Sequence, residues 1–351
     1  MANWLADNLG ISVPVVLAPM AGPGQGRLAH AVSKAGGLGM FGVGSTTTGD
    51  WIRAQAEVAG AEGATYGIGL MAWAQPGARE QVEVVLDLKP DLVSVSFGDI
   101  AGPVARLRDA GILTATQVGA LPDLRMAQDA GVDVVVVRGA EGGGHGRNSM
   151  GTLPLLQIVL EQTSRPVLAA GGILNHRGLA AVLAAGAEGA WVGTAFLGCV
   201  EANMTGPARE RLFAASETGY GRVFDVAQEF PWPTEFGGRA LVNGFFDEWV
   251  GREDEMDDAA RRRHEVARRA GDFDVAHLYA GQGVAALTGE RAGRRCRARL
   301  CTSPGSLGIP EAHDVTHAPS VQRGVGEPAT VVTASTGGEP NLSLTASLNQ
   351  R

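Results

Sequence analysis

A parallel α/β barrel of eight β–α units is the fold class the sequence predicts, and three observations predict it. Short β-branched runs alternate with alanine-rich amphipathic runs from residue 13 to about 203. The helical runs end repeatedly in Ala-Gly just before a strand, as in "KAGGLG", "DAGILT", "DAGVDV" and "AAGAEG". The strands are almost continuously apolar, as they are when helices cover a parallel sheet. A doubly wound open sheet is the weaker alternative, because eight short-linked units match a closed barrel.

In chain order the strand candidates are 13–19 (VPVVLAP), 37–43 (GLGMFGV), 66–72 (YGIGLMA), 91–97 (DLVSVSF), 112–118 (ILTATQV), 133–139 (DVVVVRG), 166–172 (PVLAAGG) and 189–195 (GAWVGTA). Each is a short β-branched or apolar run bounded by turn residues. Helices are predicted over 27–35, 50–60, 77–88, 101–110, 121–130, 153–162 and 176–185. Glycine just past a helix tolerates the left-handed backbone that stops it.

After residue 203 the rhythm changes. "PARERLFAAS", "DEMDDAARRRHEVARRA" and "DFDVAHLYAGQGVAAL" read as helices, and "EFPWPTEFGG" as a Pro/aromatic connector. The predicted organisation is therefore a ligand-binding (β/α)8 TIM barrel over 1–203 and an additional C-terminal helical segment over 204–289, packed against the open end. Residues 290–351 contain no Phe, Trp or Tyr and no useful period. They read as a disordered or non-native tail, since such a composition buries too little apolar surface to offset ordering entropy.

Composition excludes several classes. The chain has 351 residues, 45% hydrophobic and 19% charged, with a net charge of −8. No basic block lies outside the far C-terminus, so neither nucleic acid nor an anionic membrane is expected as a partner. Three cysteines without a CxxC suggest neither a disulfide framework nor a zinc site, and no metal is expected. Without a leader-like start or a long apolar span, the expectation is a soluble cytoplasmic protein.

Barrel ligands sit at the C-terminal strand ends. "LAPMAGPGQGR" ends the first strand, where Met20, Ala21 and Gly22 form a small-residue turn that admits a flat ligand. "AAGGI" and "VGTAF" end the last two strands. Gly171, Gly172, Gly193 and Thr194 there present backbone N–H groups, backed by a helix dipole, as a phosphate site does. "VVVVRGAEGGGHGR" (134–147) runs a buried strand into a glycine loop that delivers His145 to the barrel mouth, where an imidazole serves as a base near neutral pH.

The motifs "APMAG", "AVSKAGGLGMFG", "GAEGGGHG" and "LAAGGI…LAAGAEGAWVGTAFL" resemble the nitronate monooxygenase family, formerly called 2-nitropropane dioxygenases. The related flavin-dependent enoyl-ACP reductases share most of this pattern. The resemblance runs from about residue 11 to 289 and implies an FMN-containing TIM barrel. It implies that Met20 and Ala21 lie against the flavin ring and that Gln117 meets FMN from a strand end. Gly139 and Gly144 would line the isoalloxazine side, and Gly171, Gly172, Gly193 and Thr194 would bind the FMN phosphate. His145 matches the family's catalytic histidine.

Two positions depart from the family pattern. Gly69 stands where Asn is usual, and Arg138 where Gln is usual before the glycine loop. Each change removes a flavin or substrate contact, unless Arg138 instead favours an anionic substrate or stabilises negative charge on the reduced flavin. The resemblance implies oxidation of alkyl nitronates or nitroalkanes with dioxygen to a carbonyl product and nitrite. A homodimer is left open. Two alternatives accompany this reading: an NAD(P)H-dependent flavin reductase acting on enoyl-ACP or a quinone, and a non-catalytic flavin-binding protein.

Overall fold

The computed structural model describes residues 4–74 and 79–287. Eight parallel strands carry the barrel: β1 Val15–Leu17, β2 Gly39–Gly42, β3 Tyr66–Met71, β4 Leu92–Ser96, β5 Leu113–Val118, β6 Val134–Arg138, β8 Val167–Ala170 and β9 Gly189–Val192, with β7 (Gly144–His145) standing apart between β6 and β8. Their order is β1-β9-β8-β6-β5-β4-β3-β2. A parallel bridge between Val16 and Leu38 closes the ring, with Leu38 N–H donating to Val15 O at 3.0 Å and Leu17 N–H to Leu38 O at 2.8 Å. All eight strand predictions coincide with these elements, each observed strand falling inside its predicted run.

Helices Gly26–Lys34, Gly49–Ala59, Arg79–Leu88, Ala101–Asp109, Leu121–Ala130, Thr152–Leu160 and His176–Ala184 alternate with the strands. They bury their apolar stripes on the outside of the sheet. Along β6 the two-residue period sorts side chains. Val135 and Val137 join the strand–helix core, and Val134 and Val136 join the cluster inside the barrel. The N-terminal helix Trp4–Leu9 adds Leu5 and Leu9 to that interior cluster. Burying a side chain of this size contributes roughly 1.5–3 kcal/mol.

The same period decides what the barrel presents at its upper end. One step above the packed interior, the inward positions are Ala18, Gly42, Gly69, Ser96, Gln117, Arg138 and Ala170, all of which line a cavity. Most are small, so side chains do not fill the barrel to its rim. At Gly69, where Asn would be usual, an added Cβ would run into the Pro19 ring. This backbone therefore admits only glycine there.

The segment after residue 203 is helical at Gly206–Ala214, Val223–Ala227, Gly244–Trp249 and Asp258–Ala270. It also contributes two short strands that the helical expectation missed, β10 (Thr218–Gly221) and β11 (Gly238–Leu241). These pair antiparallel with each other, and β11 pairs with β7 through Gly238 opposite His145 and Arg239 opposite Gly144. The tail 290–351 lies outside the described residues. No helix among the described residues is long and apolar enough to cross a membrane.

Candidate active site

A cavity of about 660 Å³ opens above the small-residue floor, at the C-terminal ends of the strands. It brings together Met20, Ala21, Gln117, Gly144, His145, Gly171, Gly172, Gly193 and Thr194, which sequence reasoning had singled out from five separate strand ends. Gly139 is the exception and does not line the cavity. An added Cβ at 139 would strike the backbone and hydroxyl of Thr152, so this glycine serves close packing of β6 against the start of the next helix.

The glycine run before His145 is not a free loop. Gly143 lets the Ala280–Gly281 backbone approach: an added Cβ would lie 2.5 Å from Gly281 N. Gly144 has φ +68°, the left-handed region that glycine adopts without strain. Arg138, 4% exposed, extends beneath the run and donates to the carbonyls of Gly142 at 2.8 Å, Gly143 at 3.2 Å, Gly144 at 3.0 Å and Arg147 at 3.2 Å. Burial is the main reason its pKa falls to about 10, which still leaves it charged at neutral pH. Among the described residues it has no carboxylate in ion-pair contact. Tyr220 Oη donates to Gly146 O at 2.9 Å, and Gly146 N–H donates to Gly237 O at 3.1 Å. The loop is thus held from below by Arg138 and from above by the C-terminal segment.

His145 itself is gripped on several sides. Its Nε2 lies 2.7 Å from Asp225 Oδ1, the imidazole being 12% exposed and the carboxylate 1%. Trp232 stacks on the ring at 3.6 Å between centroids and 2° between planes. Tyr279 packs at 5.1 Å and donates its hydroxyl to Asp225 Oδ1 at 3.4 Å. Burial, then the neighbouring Asp225, raises the Tyr279 pKa well above its ordinary value, so it remains a donor. Asp225, Trp232 and Tyr279 all come from the segment after residue 203, and sequence reasoning identified none of them. The one available signal was Trp232 between two prolines in the aromatic connector.

At the neighbouring strand ends, beside the glycine run, Gly171 and Gly172 have φ of +108° and +70°. Gly193 caps the helix Thr194–Leu197, whose single turn supplies little macrodipole. Its first N–H groups have no partners within the helix. Thr194 Oγ1 accepts from Gly281 N–H at 2.9 Å and keeps its own proton to donate. The donors at these strand ends and the small-residue floor fit a flat cofactor carrying a phosphate.

Behind His145 lies a second imidazole pair. His277 Nδ1 is 3.3 Å from His264 Nε2, within a ring cluster including Phe224 and Phe245. Burial, with Arg268 nearby, lowers His264 to about 4; burial, then His264, Arg268 and His145, lowers His277 to about 3. Unfolded histidines titrate near 6.5. As pH falls from about 6.5 toward 3, the unfolded chain takes up protons that the folded chain refuses, so stability falls across that window and levels off below it. His264→Phe is expected to flatten this part of the Tm-against-pH curve by a few degrees, measured by thermal melts between pH 4 and 7. A curve of unchanged slope would show that the pair does not carry the acid sensitivity.

Residues 70–221 match the family model described as nitronate monooxygenase. The nitronate monooxygenase of Paraburkholderia phytofirmans is 28% identical over 337 residues, covering 79% of this chain and 88% of that protein. Among solved structures, nitroalkane oxidase from Streptomyces ansochromogenes is 31% identical with a TM-score of 0.70, covering 83% of this chain and 93% of that one. FabK from Thermotoga maritima is 28% identical with a TM-score of 0.72, covering 84% and 92%.

Proposed function

Since the chain belongs to the nitronate monooxygenase family and is a flavin oxidoreductase of that type, we propose that it uses FMN and dioxygen to oxidise alkyl nitronates, and the nitroalkanes that give rise to them, to a carbonyl product and nitrite. The observation that carries this reading is His145, held at the rim of the cavity with one ring nitrogen bonded to Asp225 and the other without a protein partner among the described residues. A carboxylate only accepts, so Nε2 bears the proton in the neutral ring and Nδ1 is the basic nitrogen.

Met20, Ala21 and Gln117 would bear on the flavin ring, with Gly144 beside it. Gly171, Gly172, Gly193 and Thr194 would hold the phosphate. The bound flavin supplies acceptance of the substrate's electrons and their delivery to dioxygen. The chain's own residues bind, orient and move a proton. When the substrate arrives as a neutral nitroalkane, His145 Nδ1 takes the acidic proton from the carbon bearing the nitro group. When it arrives as the nitronate, the imidazole protonated at Nδ1 donates that hydrogen to a nitro oxygen, while Nε2–H stays on Asp225. The charged guanidinium of Arg138 favours an anion in this cavity and supports a nitronate as the bound form.

The reductase reading keeps support from the likeness to FabK. One experiment separates the two. Protein purified with its flavin is mixed anaerobically with a nitronate or with NADPH, and the visible flavin absorbance is followed. Rapid bleaching by the nitronate and slow or absent bleaching by NADPH is the expected result; the reverse pattern would overturn the proposal in favour of a reductase. Bleaching by neither, with no turnover of nitronates, quinones or enoyl thioesters, would favour a non-catalytic flavoprotein.

A further inference from the structure

We infer that Asp225 is the positioning residue for His145: it selects which ring nitrogen meets the substrate and supplies the counter-charge when that nitrogen takes a proton. The inference rests on the proposed role of His145 and adds a partner that lies 80 residues away in sequence.

Three observations carry it. First, the contact is short and dry. His145 Nε2 lies 2.7 Å from Asp225 Oδ1, and the Asp225 side chain is 1% exposed. Second, the carboxylate is under-satisfied. Oδ1 meets His145 and Tyr279, while Oδ2 is buried without any hydrogen-bond partner among the described residues. Buried polar atoms are nearly always paired, so an exception calls for an explanation. Third, no arginine or lysine pairs with Asp225 among the described residues; its one ion-pair partner is His145. A purely structural carboxylate at such a depth would be matched by a fixed cation or by donors on both oxygens. Here the matching positive charge exists only when the imidazole is protonated.

The chemistry follows from these contacts. In the resting ring Nε2–H donates to Asp225 and the Nδ1 lone pair is free. The substrate C–H bond breaks, its proton forms an N–H bond at Nδ1, and the electron pair left on carbon is delocalised onto the nitro oxygens. The imidazolium formed is balanced by Asp225, 2.7 Å from the opposite nitrogen. Trp232, parallel to the ring at 3.6 Å, keeps the imidazole in the plane in which both contacts hold. The geometry also assigns a purpose to the helix Val223–Ala227 and the connector after it: they complete a base that the barrel alone delivers without orientation.

The test uses the flavin-loaded full chain and has two arms. In the first, ¹⁵N NMR of the histidine side chains reads the tautomer of neutral His145 in the wild type and in Asp225→Asn. The wild type is expected as the Nε2–H tautomer. The side-chain amide that Asp225→Asn introduces can donate to Nε2, so the variant is expected to shift toward Nδ1–H. In the second arm, kcat/KM is measured on a neutral nitroalkane and on its pre-formed nitronate. The variant is expected to lose about 10²-fold or more on the nitroalkane and much less on the nitronate, as expected when a base is held in the wrong tautomer. A wild-type ring found as Nδ1–H overturns the inference even if the variant does not fold. So does an unchanged tautomer in Asp225→Asn, or equal losses on both substrate forms. If the wild type turns over neither substrate, the proposed function fails, yet the tautomer arm still decides whether Asp225 positions His145.

Discussion

His145→Ala is expected to keep its flavin and to lose activity on neutral nitroalkanes by about 10²–10⁴-fold in kcat/KM, the usual contribution of a positioned general base. The imidazole donates and accepts only through its side chain, while the β7 backbone pairing with β11 that anchors the loop does not depend on it. The flavin should therefore stay bound. Pre-formed nitronates need no proton removal and should lose far less. Steady-state kinetics on both substrate forms, with the flavin content of each preparation measured from its visible absorbance, separates the outcomes. Equal losses on the two forms would reduce His145 to a residue that orients the substrate. Full activity on both would remove it from the mechanism.

Gly193→Val is expected to yield a folded protein that has lost its flavin. At this position an added Cβ meets only ordinary contacts, 3.4 Å from Met20 Sδ and 3.5 Å from Ala18 Cβ. The backbone is not in the left-handed region, with φ −111° at Gly193. The fold therefore does not demand glycine here, in contrast to Gly171 at φ +108°. The methyl groups of valine would project beside Met20 and Ala18 into the cavity where the flavin is proposed to sit. Overpacking of this kind costs about 1–3 kcal/mol, or roughly 5- to 150-fold in affinity. The measurements are flavin per protein after purification and a thermal melt. Full flavin occupancy would remove Gly193 from the cofactor site, while a collapsed melt would show that the fold itself requires the glycine.

Much of this site is legible in sequence because the information is local. The strand ends of a parallel barrel converge by topology, so "PMAG", "GGGHG", "AAGG" and "VGTA" meet once the eight units are recognised. Gly139 shows where that logic stops. It lies in the same motif as Gly144, but β-strand alternation and the nearby Thr152 turn it to packing. Arg138 was legible as a departure, and the even-numbered positions of β6 already place it inward with Val134 and Val136. Its grip on the glycine-run carbonyls was not legible, because those acceptors depend on the path the loop takes.

What the sequence alone determined is the barrel, its eight strands and the identity of the imidazole at its mouth. These follow from apolar period, Ala-Gly helix stops and glycine-rich strand ends, all read within a few residues. Only the tertiary structure decided that the loop bearing His145 is a strand, that the segment after residue 203 contains its partner, and that Asp225, Trp232 and Tyr279 surround the ring. The physical reason is range. Four-residue strands such as Thr218–Gly221 and Gly238–Leu241 have too little propensity of their own and become strands through pairing. A carboxylate 80 residues from its imidazole leaves no spacing to read. Its role exists only where the folded chain removes both groups from water and leaves each as the other's charge partner.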